Sequence, residues 1–187
     1  KQGDLGRYRA IRDRFRSLDQ LSPGSDPLRL EMRIEHLLTM ARQEANDERA
    51  IEMVEHCIHL FGRMPDGTTR IDECFVEISK ICRRRADEAE TENGFNAWLE
   101  RSLESVRIAI SINRGLNNYY RVFEELHELF DDLLGLNMYE EYLRVRAENR
   151  EMAFSVGNIG ELLYLFEEHL HFDADRENSA IRLPEVR

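Results

Sequence analysis

Gly115-Leu116-Asn117-Asn118-Tyr119 and Gly135-Leu136-Asn137-Met138-Tyr139 echo one another, and Val156-Gly157-Asn158 brings the Gly-Asn pair back a third time. Glycine takes the left-handed conformation that ends a helix without a Cβ clash, and Asn can cap the helix that follows. Three such stop-start signals mark three consecutive helices from Gly115 to Phe172. Between the first two turns, Val122, Phe123, Leu126, Leu129, Phe130, Leu133 and Leu134 fall into one stripe centred on Leu126, at about 100° per residue. From Asn158 onward Ile159, Leu162, Leu163, Phe166 and Leu170 form a second stripe, with Tyr164 on the far side and Leu165 at its flank. The middle helix, 138–155, has two apolar sides. Tyr139, Tyr142, Val145, Met152, Ala153 and Val156 share one, and Leu143, Ala147 and Phe154 lie on another. A helix apolar on two sides is one sandwiched between neighbours, as in a stacked array.

The same grammar runs upstream. Gly6 to Leu18 reads as a short helix with a narrow apolar line, Tyr8, Ile11, Phe15 and Leu18, among Arg7, Arg9, Arg12, Arg14 and Arg16. Asp4, Asp13 and Asp19 dilute that charge, so the segment at 1–21 is expected to cap the array, with an acidic partner or a membrane surface as the other option. Asp26 caps and Pro27 opens the next helix, whose stripe is Leu30, Ile34, Leu37, Leu38, Ala41 and Ala45. Asp47 is the expected cap of its partner, lined by Ile51, Val54, Cys57, Ile58 and Phe61 and ended by Gly62. Pro65-Asp66-Gly67 is a turn, and Thr68 or Thr69 caps a helix carrying Ile71, Cys74, Phe75, Ile78, Ile81 and Cys82 as far as Glu90. Thr91-Glu92-Asn93-Gly94 reads as a turn before a helix from Phe95 to Ile112 with Leu99, Leu103, Val106 and Ile110 on one face. No segment alternates with period two between turns, so the expectation is an all-α chain of roughly seven or eight helices without a sheet. The helix pairs fall at 26–61, 69–112 and 116–155, followed by a helix at 158–172 and a tail at 173–187. Their spacing of roughly 40 residues is that of two-helix solenoid repeats.

Composition narrows the function. A chain of 187 residues that is 42% hydrophobic can bury a sizeable core. Its net charge of −11 disfavours general nucleic-acid binding, which needs a basic field to displace counterions. No apolar run approaches the roughly 20 residues that span a bilayer. Cys57, Cys74 and Cys82 are an odd number without metal or redox spacing, and read as small buried thiols of an intracellular, cytoplasmic protein. The chain starts at Lys1 rather than at Met, the expected mark of a piece excised or processed from something longer.

From Leu116 to Phe172 the sequence resembles tetratricopeptide-type repeats in a longer form. The resemblance lies in the helix pair, the Gly135-Leu136-Asn137 turn, the acidic-aromatic opening Tyr139-Glu140-Glu141-Tyr142-Leu143 and the Gly157-Asn158 junction. The Trp of the first helix, the small-residue pair and the closing Pro of that family have no counterpart here. The resemblance implies a right-handed α-solenoid that acts as a non-enzymatic scaffold or adaptor for a protein or peptide partner, with no cofactor. Carried onto this chain, the partner face would hold Asn118, Tyr119, Arg121, Tyr139, Tyr142, Arg146 and Asn149. A terminal solenoid helix must be polar outside or be covered. Tyr164 and Leu165 are therefore the expected self-association patch, through a second copy or a continuation of the chain.

Two other classes stay in view. One is a regulatory or sensor segment of a larger multidomain protein. The other is a ferritin-like di-metal enzyme, because Glu124-x-x-His127 and Glu168-x-x-His171 lie on alternate helices with Glu148 or Glu151 and Glu100 or Glu104 between and before them. Helix geometry argues against it: Glu124 lies roughly 160° from the Leu126 direction and His127 roughly 100°. Glu52, His56 and His59 share a polar face and are a weak surface-metal candidate, outward of Val54 and Ile58. Arg83-Arg84-Arg85 ends a helix, where cations complement the dipole. No inward polar cluster is expected.

Overall fold

The computed structural model describes residues 27–64 and 70–167, and every regular element among them is helical. The segment at 1–21, the caps expected at Asp26, Thr68 and Thr69, and the tail at 173–187 lie outside the described residues, as do Glu168 and His171. The helices are α1 (Pro27–Gln43), α2 (Asp47–Phe61), α3 (Ile71–Asp87), α4 (Glu92–Gly115), α5 (Tyr119–Gly135) and α6 (Tyr139–Ser155). Residues 159–167 are helical as well and are labelled α7.

Capping chemistry moves two of the expected boundaries. Asn46, not Asp47, caps α2, because its side chain accepts from the Arg49 amide at 3.0 Å. Asp47 becomes the first helical residue, where a negative charge suits the dipole. Thr91 is a cap rather than part of a turn: its hydroxyl accepts from the Gly94 amide at 3.1 Å, so α4 begins at Glu92 and absorbs Asn93-Gly94 into its first turn.

The turns that define the pattern also differ from expectation. Gly115 and Gly135 are the last residues of α4 and α5, and the left-handed positions fall to Asn117 (φ 56°) and Asn137 (φ 58°). Asn visits this region more readily than other non-glycine residues because its short polar side chain bonds locally. Only at the third turn does the glycine itself, Gly157 (φ 70°), take it. The first and third helix ends are sealed alike, Asn118 N donating to Asn113 O and Asn158 N to Ala153 O, both at 2.9 Å. Asn158 then caps α7, accepting from the Glu161 amide at 3.1 Å, whereas Asn118 makes no side-chain cap bond.

The chain divides into two compact units, residues 1–137 and 138–187. In the first, consecutive helices pack on one another from α1 to α5. Side-chain pairs give the directions. Asp72 meets Asn113 and Ser79 meets Ser102, so α3 and α4 are antiparallel; Asn113 meets Glu125 and Ser102 meets Asp132, so α4 and α5 are as well. Glu35 with Arg70 and Arg42 with Glu77 run α1 parallel to α3, and Arg121 with Glu73 and Arg83 with Asp132 run α3 parallel to α5. Within this unit α1, α3 and α5 therefore lie side by side. The core joins Leu30, Ile34 and Leu38 of α1 to Ile51, Val54 and Ile58 of α2, Phe75 and Ile78 of α3, and Ile108 and Ala109 of α4.

In the second unit, α6 buries Tyr142, Val145, Asn149 and Ala153. Its partner α7 presents Glu161 and Leu165, and Arg146 donates to the Leu165 carbonyl. Leu165 is 4% exposed, which corrects its assignment to an uncovered flank. The expected stripe is what stays open: Ile159 is 70%, Leu163 58% and Phe166 61% exposed. α7 turns its short polar-apolar edge to α6 because Asn149 and Arg146 supply hydrogen-bond partners there.

Candidate functional site

The first unit holds an inward polar cluster that helical-wheel reasoning missed. Asn113, fully buried on α4, donates from Nδ2 to Asp72 Oδ2 of α3 at 2.9 Å and to Glu125 Oε1 of α5 at 2.7 Å. Arg121 reaches Asp72 at 3.8 Å and Glu73 at 3.3 Å, and Arg70 meets Glu73 at 3.1 Å. Burial, with the Asp72 charge adding to it, pushes the Glu125 carboxyl up to about 8 against the pull of the Asn113 hydrogen bond. At neutral pH it is therefore held as the neutral acid. Asp72 Oδ1, Asn113 Oδ1 and Glu125 Oε2 have no hydrogen-bond partner among the described residues.

Further along the same three helices, Ser79 and Ser102 share a 2.9 Å hydrogen bond. Ser102 donates to Asp132 Oδ2 at 2.7 Å, and Arg83 donates to Asp132 Oδ1 at 2.7 Å. Arg83 also pairs with Glu128, and Arg84 with Asp47, so this arginine run ties α3 to its neighbours rather than merely ending a helix. A signal for these residues was present. Glu125 stands three after Val122 and four before Leu129, and Ser102 three after Leu99, so both sit inside apolar stripes. The carboxyls, amide and hydroxyls at the centre of both clusters are buried, and the arginines at their edges are partly exposed.

The second unit carries an open groove of about 340 Å³ lined by Leu143, Arg146, Ala147, Arg150, Leu162, Leu165 and Phe166. Leu143, Ala147 and Phe154, the second apolar side of α6, are all exposed, Leu143 at 46% and Phe154 at 78%. Arg150 stands at i+7 from Leu143 on that same side and has no ion-pair partner among the described residues. The groove thus offers apolar area and guanidinium groups, and its lining contains no carboxylate.

The seven residues expected on a partner face divide between the units. Asn118 and Tyr119 are exposed on the first, and Arg121 is engaged by Asp72 and Glu73. On the second, Tyr139 is exposed and Arg146 lines the groove. Tyr142 and Asn149 are fully buried, Asn149 donating to Glu161 at 2.7 Å, so neither presents a side chain to a partner. Tyr164 is 37% exposed, and Leu165 is interior. Of the metal candidates, Glu52 is exposed, but His59 is buried, with its ring centroid 6.5 Å from that of His56. α2 buries more than its stripe because it packs against both α1 and α3. Among the described residues no group of three or more His, Cys, Asp or Glu side chains is placed to hold a metal ion. Glu124 is exposed, as its angle from Leu126 required. All three cysteines are free and buried, and burial, with Glu35 nearby, pushes the Cys57 thiol up to about 12, so it stays protonated. No described helix is long and apolar enough to cross a membrane.

Comparison with family models, with curated proteins and with solved structures returned no match to this chain.

Proposed function

We propose that this chain is a non-enzymatic helical-repeat module, built as a tetratricopeptide-like solenoid, that binds a protein partner. The observation that carries the reading is the exposed apolar surface of the second unit, where Leu143 and Phe166 line an open groove and Phe154, Ile159 and Leu163 are exposed on the same two helices. Contiguous exposed apolar surface of this kind marks an interaction site, whereas singly scattered residues do not. The parallel arrangement of α1, α3 and α5 supports a repeat architecture. The Glu125 carboxyl, pushed up to about 8, is enclosed by packing, so it supports a structural role better than acid-base catalysis.

A photo-crosslinking residue placed at position 163, with a control at position 80 on the exposed Lys80 site of α3, tests this in lysate of the source cell. A discrete adduct from position 163 alone is expected. Uniform labelling from both positions, or none from either, overturns the reading.

A further inference from the structure

We propose that the groove between α6 and α7 takes an acidic amphipathic helix of a partner protein, with Arg150 answering a carboxylate on that helix; this deepens the partner-binding reading and depends on it. Both walls have helix-packing periodicity. On α6, Leu143, Ala147 and Arg150 line it at i, i+4 and i+7, and Phe154 continues the row at i+11; on α7, Leu162 and Phe166 line it at i and i+4 with Leu165 between them, and Ile159 and Leu163 are exposed on the same helix. Such rows are the ridges into which another helix packs. The turns allow a second comparison. Counting from the left-handed residues Asn117 and Gly157, Leu163 and Phe166 hold the places of Phe123 and Leu126 on α5. Those two are buried, while Leu163 and Phe166 are open. The face on α7 is one that a helix of this chain has covered at the equivalent place and that here has no cover among the described residues.

Charge decides between a foreign helix and a second copy. The lining contributes Arg146 and Arg150 and no acid. Arg144 is neutralised by Glu141 and Glu148 at 3.0 Å each, whereas Arg150 meets no carboxylate among the described residues. In a two-fold contact the same lining meets itself, and that lining offers these arginines no carboxylate. A helix with Glu or Asp beside its apolar row answers them instead, and places the acid where a guanidinium binds in two-pronged fashion.

The test uses the full chain and two stapled amphipathic peptides that share a Leu row at i, i+4 and i+7 and differ only in Glu or Lys beside it. Fluorescence anisotropy should show the Glu peptide binding about tenfold or more tighter than the Lys peptide. Arg150→Glu, at an exposed position, should reverse that preference, and Phe166→Ser should weaken both. Equal binding of the two peptides, a preference that survives Arg150→Glu, or no binding of either overturns the proposal. Sedimentation that reveals a dimer lost in Phe166→Ser assigns the face to a second copy and overturns it too. A specific adduct from position 163 with no preference for the Glu peptide leaves the partner reading standing and removes only this one.

Discussion

Asn113 hydrogen-bonds Glu125 twelve residues further along the chain, across the α4–α5 turn, at 2.7 Å. Asn149 binds Glu161 in the same way, also at 2.7 Å and across the turn before α7. In each unit a buried amide therefore latches one helix to the next through a buried carboxyl. Asn supplies two donors and Glu can accept, so the latch satisfies groups that would otherwise cost about 1–3 kcal/mol each when left unpaired.

The first latch makes stability depend on pH. Glu125 titrates near 8 in the folded chain, above the usual carboxylate value of 4.5. The folded state then holds a proton that the unfolded state has released, so this group's favourable contribution is complete below about pH 4.5 and is lost as pH rises through about 8. Asp72 and Glu124 oppose its ionisation and Arg121 favours it. Glu125→Gln keeps the shape without the charge. Thermal melts from pH 5 to 9 should show the wild type losing stability to the variant as pH rises, with the variant ahead above about pH 8. Parallel curves across that range would mean that the carboxyl is not held neutral.

The serine network should be as unforgiving as its burial implies. Ser102→Ala removes a donor from Asp132 and a partner from Ser79, both interior, and is expected to cost about 1–3 kcal/mol. Arg83→Ala leaves the Asp132 charge buried and should cost about 3 kcal/mol or more. Urea denaturation reads both as shifts of midpoint. Arg83→Ala combined with Asp132→Asn should lose less than the sum of the two single changes, since the second removes the charge the first strands.

The two echoed glycines predict opposite outcomes. A Cβ at Gly115 meets nothing within 4 Å, so Gly115→Ala should stabilise by about 0.5–1 kcal/mol through helix propensity. A Cβ at Gly135 would stand 2.7 Å from Leu99 Cδ1, a buried side chain that would have to move. Gly135→Ala is therefore expected to cost about 1–3 kcal/mol. Equal melting shifts in the two variants would show that α4 and α5 do not approach as closely as drawn.

Position 165 separates the interior of the second unit from its open face. Leu165→Glu places a charge at a buried apolar position and should unfold α7 from α6, seen as lost helical ellipticity and as early proteolytic cleavage after residue 156. Leu163→Glu, at an exposed position, should leave both readouts unchanged. The reverse ranking would restore the flank assignment of Leu165.

The sequence by itself determined that the described residues are helical and where the Gly-Leu-Asn turns interrupt them. Those properties are local. Apolar spacing near 3.6 residues, the Gly-Leu-Asn turns and the caps are written in neighbouring residues, and backbone sterics act on them before any tertiary contact forms. Even there the choice between Gly115 and Asn117 for the left-handed place went to the residue that lets the helix run longest. Tertiary structure decided which polar residues join the interior and, on α7, which side becomes interior. Glu125, Asp72 and Asn113 look like surface residues one at a time, and become core only because three helices bring a donor between two carboxyls. The α7 stripe looks like core, and stays open because a neighbouring amide and guanidinium on α6 claim the edge carrying Glu161 and Leu165. A helical wheel ranks residues by their own transfer free energy, whereas burial of a polar group depends on whether a partner stands opposite, and that partner is distant in sequence.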